Sequence, residues 1–587
     1  MMRADRPVGK IDEKVGFGSD VAAQMLRRFG FKYVSLNPGA SYRGLHDSIV
    51  NHLGNENPSM VLCLHEDHAV GIAHGYAKAT GEPMACVLHS NVGLLHGMMG
   101  LYNAWCDRAP MFVLGATGPV DASQRRPWID WIHTSADQGG MIRDFVKWDN
   151  QPSSAEALVE AMARANIMTR SEPKAPVYIC LDAGLQESAL DKAPDFPDLN
   201  RLQPPAPARA AKADIEKTAK LLKEAKKPIL LIGKTDWTQE GWNNRIALAE
   251  RLGAVVFTDL KNRSGFPTDH PCHVVAPLEQ VGRSAEYVRD MLRNADVILA
   301  FDWVDLDSAL RIKGEKLKAK AIHVSLDQHL HNGAHANYLA LPELDLFMAA
   351  SPDAVIADLV AELGPGKTKC WHDEIRKIPT RDTSKINVDQ MALALREAFP
   401  NQDEVTLTGV CRKFPMDVWP AHSPLAYMGK DGGGGIGGMP SISIGIALAL
   451  HDKGRKTVGV LGDGDFLMGG HAIWSAVRHQ IPLMLVINNN RSYFNDELHQ
   501  ETVAKRRNRP AENRWIGQRI SDPDVDLAKF AEAQGAVGIG PITNPADLGP
   551  AMKRGAEILA KGGVVLIDVH VTPGEERGAA TTGHRAT

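Results

Sequence analysis

Surplus charge of either sign is scarce in this chain: 66 Lys and Arg stand against 70 Asp and Glu, a formal net charge of -4. That balance argues against a nucleic-acid partner, which needs concentrated basic charge. Cysteine is scarce too. Seven of the 587 residues are cysteine (Cys63, Cys86, Cys106, Cys180, Cys272, Cys370 and Cys411), and no two are spaced Cys-x-x-Cys. Most lie in apolar, strand-like contexts, so they read as buried reduced thiols. No apolar run approaches the roughly 20 residues that cross a bilayer. The first twenty residues are polar and lack the apolar core of a signal peptide. A cytoplasmic location, without membrane contact, is the expectation.

Hydrophobic content of 44% and charged content of 23% are ordinary for a globular protein, and the length suggests three or four domains. Two breaks divide the chain. Leu202 to Arg209 is rich in Pro and Ala, and Leu363-Gly364-Pro365-Gly366-Lys367 leads into a polar segment that ends at Asn387. Between the breaks, short apolar runs alternate with helical patterns. Examples are Val34-Leu36, Ala85-Leu88 and Met111-Leu114, then Ile229-Gly233 and Val297-Phe301, then Thr406-Thr408, Thr457-Leu461 and Leu483-Ile487. This rhythm predicts an α/β fold of three doubly wound parallel-sheet domains. They occupy 1–200, 211–365 and 387–572, with linkers at 201–210 and 366–386 and a flexible tail at 573–587.

The last third carries the most informative motif. Gly462-Asp463-Gly464 follows an apolar strand, and Asn490 comes 27 positions after the aspartate, at the end of a second strand. A helical repeat at Ile473, Trp474, Val477 and Arg478 fills the space between, completing one βαβ unit. Both polar clusters then fall at the carboxyl end of a parallel sheet, where such sheets hold ligands. The chemistry suits Mg²⁺ on a diphosphate, since Mg²⁺ takes hard oxygen ligands and shares them with phosphates. Asp463 offers a carboxylate, Asn490 an amide oxygen and Ser492 a main-chain carbonyl, while Gly462 and Gly464 let backbone approach the phosphates. A Gly-Asp-Gly turn alone is common; the spaced asparagine between two strands is what makes it specific.

A second signal lies near the amino terminus. An apolar run, Met60-Leu64, leads into His65-Glu66-Asp67-His68 and then a small-residue helix that ends at Thr80-Gly81. The plain reading of Glu66 and Asp67 is two acids favoured by a helix dipole. The histidines are three apart, not four, so this is not the zinc-protease helix motif.

Together these motifs resemble thiamine diphosphate enzymes of the decarboxylase and acetolactate synthase group, over nearly the whole chain. Locally the likeness is greatest to benzoylformate decarboxylase, through Asn37-Pro38-Gly39, Leu88-His89-Ser90 with Gly93 and Asn103-Ala104-Trp105, and Phe266-Pro267-Thr268 with His270-Pro271-Cys272. The resemblance implies pyrimidine-binding, central and diphosphate-binding domains, in that order. It implies thiamine diphosphate and Mg²⁺ as cofactors, with Asp463, Asn490 and Ser492 on the metal and Gly39, Gly462, Gly464 and Ile436 on the cofactor. Glu66 matches the glutamate that hydrogen-bonds the aminopyrimidine. His89 and His270 match the two histidines that relay protons, although a histidine ending a buried strand is often merely bonded to backbone. The substrate implied is a 2-oxo acid or an acyl compound; the reaction yields an aldehyde, or joins or splits a carbon-carbon bond as an acetolactate synthase or a 2-hydroxyacyl-CoA lyase does; and the assembly is a homodimer or dimer of dimers (homotetramer). No FAD-binding signature stands out in the middle third.

Two features depart from that pattern. A serine follows the Asn-Pro-Gly turn in benzoylformate decarboxylase and contacts the substrate carboxylate; here Ala40 holds that place and Ser41 comes one later. Either Ser41 takes over through a shifted turn or carboxylate recognition differs. The stretch after the metal motif, with Lys505-Arg506-Arg507-Asn508-Arg509 and Arg514, is markedly basic. It reads as a solvated loop or as a lid for an anionic or acyl-CoA substrate. Gln124 to Trp131, polar and aromatic together, reads as cleft lining or subunit interface.

Overall fold

Runs of four to seven apolar residues become strands buried on both faces, as parallel sheets between helices require. In the computed structural model, Met111–Thr117 and Leu483–Asn489 are buried at every position. The structure describes residues 2–273, 276–278, 284, 286–312, 315–326, 341–372 and 385–572. The tail expected at 573–587 lies outside them, as do residues 373–384 of the expected linker.

The chain divides into two units: Met1–Pro205 with Asp431–Pro541 and Arg554–Asp568, and Ala206–Lys430 with Ile542–Lys553 and Val569–Thr587. The first sheet of the first unit orders its strands Ser59–Leu62, Tyr33–Leu36, Met84–Val87, Met111–Thr117, Pro176–Asp182 and Asp149–Asn150, all parallel. Another sheet sets Lys456–Gly462, Leu483–Asn489, Val564–His570 and Val537–Ile542 side by side. The first two are parallel, with Gly462 level with Asn488. The second unit holds a parallel sheet ordered Leu346–Met348, Lys320–Val324, Val297–Phe301, Pro228–Ile232 and Val255–Thr258. The strand expected at 406–408 is present as Val405–Thr408. Three parallel-sheet α/β domains are therefore present. Among the described residues, no helix is long and apolar enough to cross a membrane.

Helix packing positions the site. Helix Glu66–Thr80 starts at the N-cap His65, whose ring accepts the Asp67 N–H at 3.1 Å, and stops at Gly81 with φ 71°. Helix Met439–Leu450 is apolar nearly all round and correspondingly buried. The two pack with almost no side chain between them. A Cβ on Gly71, Gly75 or Gly445 would lie 2.0 Å from Ser441 Oγ, Ile442 O and Ile72 O respectively. Helix Ser90–Asp107 is tied to the first of them by Asp107, which accepts from His74 Nε2 at 2.9 Å and pairs with Lys78.

Candidate functional site

The Gly-Asp-Gly motif lies where a strand ends and a short helix begins. Gly462 is the N-cap of helix Asp463–Gly469, and Asp463 is 3% exposed. Asn490 comes just past the end of the neighbouring strand. The Ser492 N–H donates at 3.0 Å both to Asp463 Oδ2 and to Asn490 Oδ1, which draws the two oxygens together. Burial pushes the Asp463 carboxyl up to about 6, against the backbone N–H groups that favour its charged form. A convergent carboxylate and amide oxygen, in a place where a cation would pull that carboxyl back to its charged form, fit a Mg²⁺ ion. Buried Asn488 Oδ1, with no hydrogen-bond partner among the described residues, adds an oxygen nearby in sequence. Gly464 is required by packing, since its Cβ would lie 2.6 Å from the Tyr493 ring.

The basic segment beyond is more ordered than a solvated loop. Phe494–Arg506 is a helix, and Glu497, whose side chain is 2% exposed, anchors the chain on either side of it. Glu497 accepts from Ser492 Oγ at 2.6 Å and lies 3.3 Å from Arg514 Nε and 3.7 Å from Arg519 Nε. Buried like this, the carboxylate needs those cations. Ser492 thus touches Asp463 and Asn490 with its N–H and the helix with its hydroxyl.

The glycine-rich stretch 432–438, which carries Ile436, is held by side chains from two helices. Asn103 Oδ1 accepts the Gly433 N–H at 3.0 Å, and Asp465 Oδ1 accepts the Gly437 N–H at 2.6 Å. Gly437 has φ +105°, a conformation that favours glycine, and Ile436 before it is 46% exposed. An apolar side chain presented to solvent from a fixed turn suits contact with a bound ring system.

Glu66 and His89 meet over Gly93. A Cβ there would stand 3.1 Å from Glu66 Oε1 and 3.0 Å from His89 Cβ. Glu66 is 7% exposed, and its Oε2 lies 3.1 Å from Nδ1 of His96, on the next helix. His89 is the N-cap of helix Ser90–Asp107 and half-buried. Its Nδ1 faces Ser41 Oγ at 2.8 Å and the Ser41 N–H at 3.4 Å, and its ring meets His133 edge-on at 4.8 Å. Burial lowers the His89 pKa below the ordinary imidazole value, and the His133 ring lowers it further. Gly39 makes this possible, because its Cβ would lie 2.4 Å from His89 Cβ.

Ser41 is buried, whereas Ala40 is exposed and lines a shallow cleft of about 520 Å³ with Pro38, Gly39, Arg43 and His46. The turn sets Ser41 Oγ 2.8 Å from His89 Nδ1. His270 lies in the second unit. Its Nδ1 accepts the Cys272 N–H at 3.1 Å, its Nε2 is 3.6 Å from Glu250 Oε1, and burial lowers its pKa. Trp128 and Trp131, in the polar and aromatic stretch, are 71% and 80% exposed. Sequence reasoning passed over His96, His133 and Glu497. His96 and His133 are brought in by the fold from beyond their local pattern, Glu497 follows Ser492 by 5 residues, and only the excess of histidine near Glu66 hinted at the first.

Known proteins resemble this chain along most of its length. Residues 17–141 match the model of the thiamine pyrophosphate enzyme N-terminal TPP binding domain, 215–346 that of the central domain and 408–569 that of the C-terminal TPP binding domain. The acetolactate synthase large subunit of Haemophilus influenzae is 25% identical over 595 residues, covering 96% of this chain and 97% of that protein. Benzoylformate decarboxylase of Pseudomonas aeruginosa is 25% identical over 489 residues, 80% of this chain and 85% of that one. The crystal structure of benzoylformate decarboxylase from Polynucleobacter necessarius superposes with a TM-score of 0.80 at 21% identity, over 95% of this chain and 99% of that chain.

Proposed function

The chain belongs to the thiamine pyrophosphate enzyme family, as a thiamine diphosphate-dependent enzyme of its decarboxylase and acetolactate synthase group, and from that premise we propose that it decarboxylates a 2-oxo acid without oxidation and with Mg²⁺. The observation that carries this reading is the placement of His89 beside Glu66 over Gly93. When bound, thiamine diphosphate would supply the carbon nucleophile and the electron sink that takes up the pair left behind as CO₂ leaves the substrate.

The chain's own residues have distinct tasks. Asp463 and Asn490, with the carbonyl of Ser492, hold Mg²⁺ and through it the diphosphate, and Gly462 and Gly464 admit the phosphates. Ile436 props the cofactor rings. Glu66 hydrogen-bonds the pyrimidine nitrogen, and its burial strengthens that bond. His89 moves the proton at the reacting carbon, its lowered pKa keeping it neutral near pH 7. His270 is the second proton carrier. Ala40 and Ser41 form the turn by the substrate cleft, whose rim includes Arg43, paired with Glu187 at 2.7 Å. The domain limits are 1–200, 211–365 and 387–572, and the working unit is a homodimer or a dimer of dimers.

Carboligation is the second reading, supported by the acetolactate synthase of Haemophilus influenzae, 97% of which this chain matches. Proton NMR of the enzyme with thiamine diphosphate and Mg²⁺ separates the two. Benzaldehyde from benzoylformate supports decarboxylation; acetolactate or acetoin from pyruvate supports carboligation. Silence with both substrates points to a larger or acyl-CoA substrate.

A further inference from the structure

Around Glu66 the fold gathers histidines that the proposed reaction does not use. His65 precedes Glu66, His96 comes from the next helix, and one ligand atom from each of the three lies within 4.8 Å of the others. The His65 and His96 rings are stacked, 4.9 Å apart and 24° from parallel. His68 and His471 stand behind, with ring centroids 4.2 Å apart, and His471 is 6.1 Å from His65. His68 is 2% exposed, and its Nδ1 has no hydrogen-bond partner among the described residues.

We propose that His65, Glu66 and His96 form a site for a borderline-soft divalent cation of the Zn²⁺ type, separate from the Asp463–Asn490 site. Two imidazoles and one carboxylate are the donor set of open zinc sites, with water in the fourth position. Tetrahedral zinc with bonds of about 2.1 Å sets its ligand atoms about 3.4 Å apart; Glu66 Oε2 and His96 Nδ1 already stand 3.1 Å apart, and separations as wide as 4.8 Å must close by roughly 1.4 Å. His96 can supply that movement, since its side chain is 60% exposed. Its exposure also gives a cation entry from solvent. Glu66, by contrast, is buried, so it is not one of the exposed acids that cluster without consequence. Mg²⁺ prefers an all-oxygen octahedron and is a poor match for two imidazoles.

Ligation would change two contacts. His65 spends a lone pair on the Asp67 N–H, so binding a metal redistributes its ring proton and unties that helix cap. A metal also occupies Glu66, which excludes it from the pyrimidine; this exclusion rests on the proposed thiamine diphosphate chemistry, whereas the site itself does not.

Titrating Co²⁺ into the cofactor-free full-length protein tests the site by the visible absorption of low-coordinate cobalt. The expected result is a band that saturates at one equivalent and is bleached by Zn²⁺. His96→Ala and His96→Gln should weaken binding by at least about tenfold, the loss that comes even from removing an outer partner of a ligand. Both should melt with the parent, since His96 is exposed, and Asp463→Asn should keep the band. No band at millimolar Co²⁺, or a band undiminished in both His96 variants, overturns the proposal. Prior saturation with thiamine diphosphate and Mg²⁺ should suppress the band. A band that persists in the wild type under saturation but still depends on His96 supports the metal site and counts instead against the role given to Glu66.

Discussion

Ser41 Oγ stands 2.8 Å from His89 Nδ1 while accepting the Ser90 N–H at 3.1 Å. A hydroxyl that accepts from backbone has its own proton to give, and the Ser41 N–H points at the same ring nitrogen. Nδ1 is therefore the acceptor, and the neutral ring carries its proton on Nε2. The serine one place past its position in benzoylformate decarboxylase has become a fixture of the histidine.

Removing the ring should hurt more than removing its support. His89→Ala is expected to lower kcat by about 10²- to 10⁴-fold, the range for loss of a general acid or base. Ser41→Ala should lower it less and leave KM nearly unchanged. Steady-state kinetics on benzoylformate, or on whichever 2-oxo acid is turned over, separates the two.

Glu66→Gln should keep thiamine diphosphate and Mg²⁺ bound, because Asp463, Asn490 and the glycines hold them, yet lose most turnover. Cofactor titration beside kinetics reads both. Normal activity in this variant contradicts the assignment of Glu66.

The pH profile has a defined sign. Burial first, and His133 second, hold His89 below the usual imidazole value of 6.5. Its neutral form thus persists into mild acid, and the acid limb of activity should fall below that value. His133→Ala removes both a repelling neighbour and part of the burial, so His89 should protonate at higher pH. The acid limb of kcat should move upward, as a pH series will show.

Gly75→Ala pits helix propensity against packing. Alanine favours a helix interior over glycine by about 1 kcal/mol. Here its methyl would lie 2.0 Å from Ile442 O, which is backbone and has little room to yield. Overpacking of this kind costs about 1–3 kcal/mol, so the variant should melt lower than the parent in a calorimetric scan.

Glu497→Ala strips Ser492, Arg514 and Arg519 of a buried partner. The arginines left behind are partly solvated and Arg514 keeps Glu501, so the loss should be about 1–3 kcal/mol and the damage local. Faster tryptic cleavage between residues 505 and 519, with weaker Mg²⁺ binding, is the expected result.

Much of the fold was legible in the chain because it is local. Strand-helix alternation announced parallel sheets, and the spacing from Asp463 to Asn490 is that of one βαβ unit, so both residues reach the same sheet end. Contacts made by tertiary packing left no such trace. His96 finds Glu66 from 30 residues away, and Asn103 finds Gly433 across 330. The turn at Ala40 and Ser41 was readable as a departure, but which way the serine faced depended on the void that Gly39 leaves for His89.

The shared N–H of Ser492 makes one proton a witness to two ligands. In a ¹⁵N-labelled sample its resonance reports on Asp463 and Asn490 together. A cation that turns both oxygens away strips that amide of both acceptors, and its signal should move upfield. A ligand that engages only one oxygen leaves the other bond standing and moves the signal less. Occupancy and mode of binding can then be told apart at a single backbone position, without turnover.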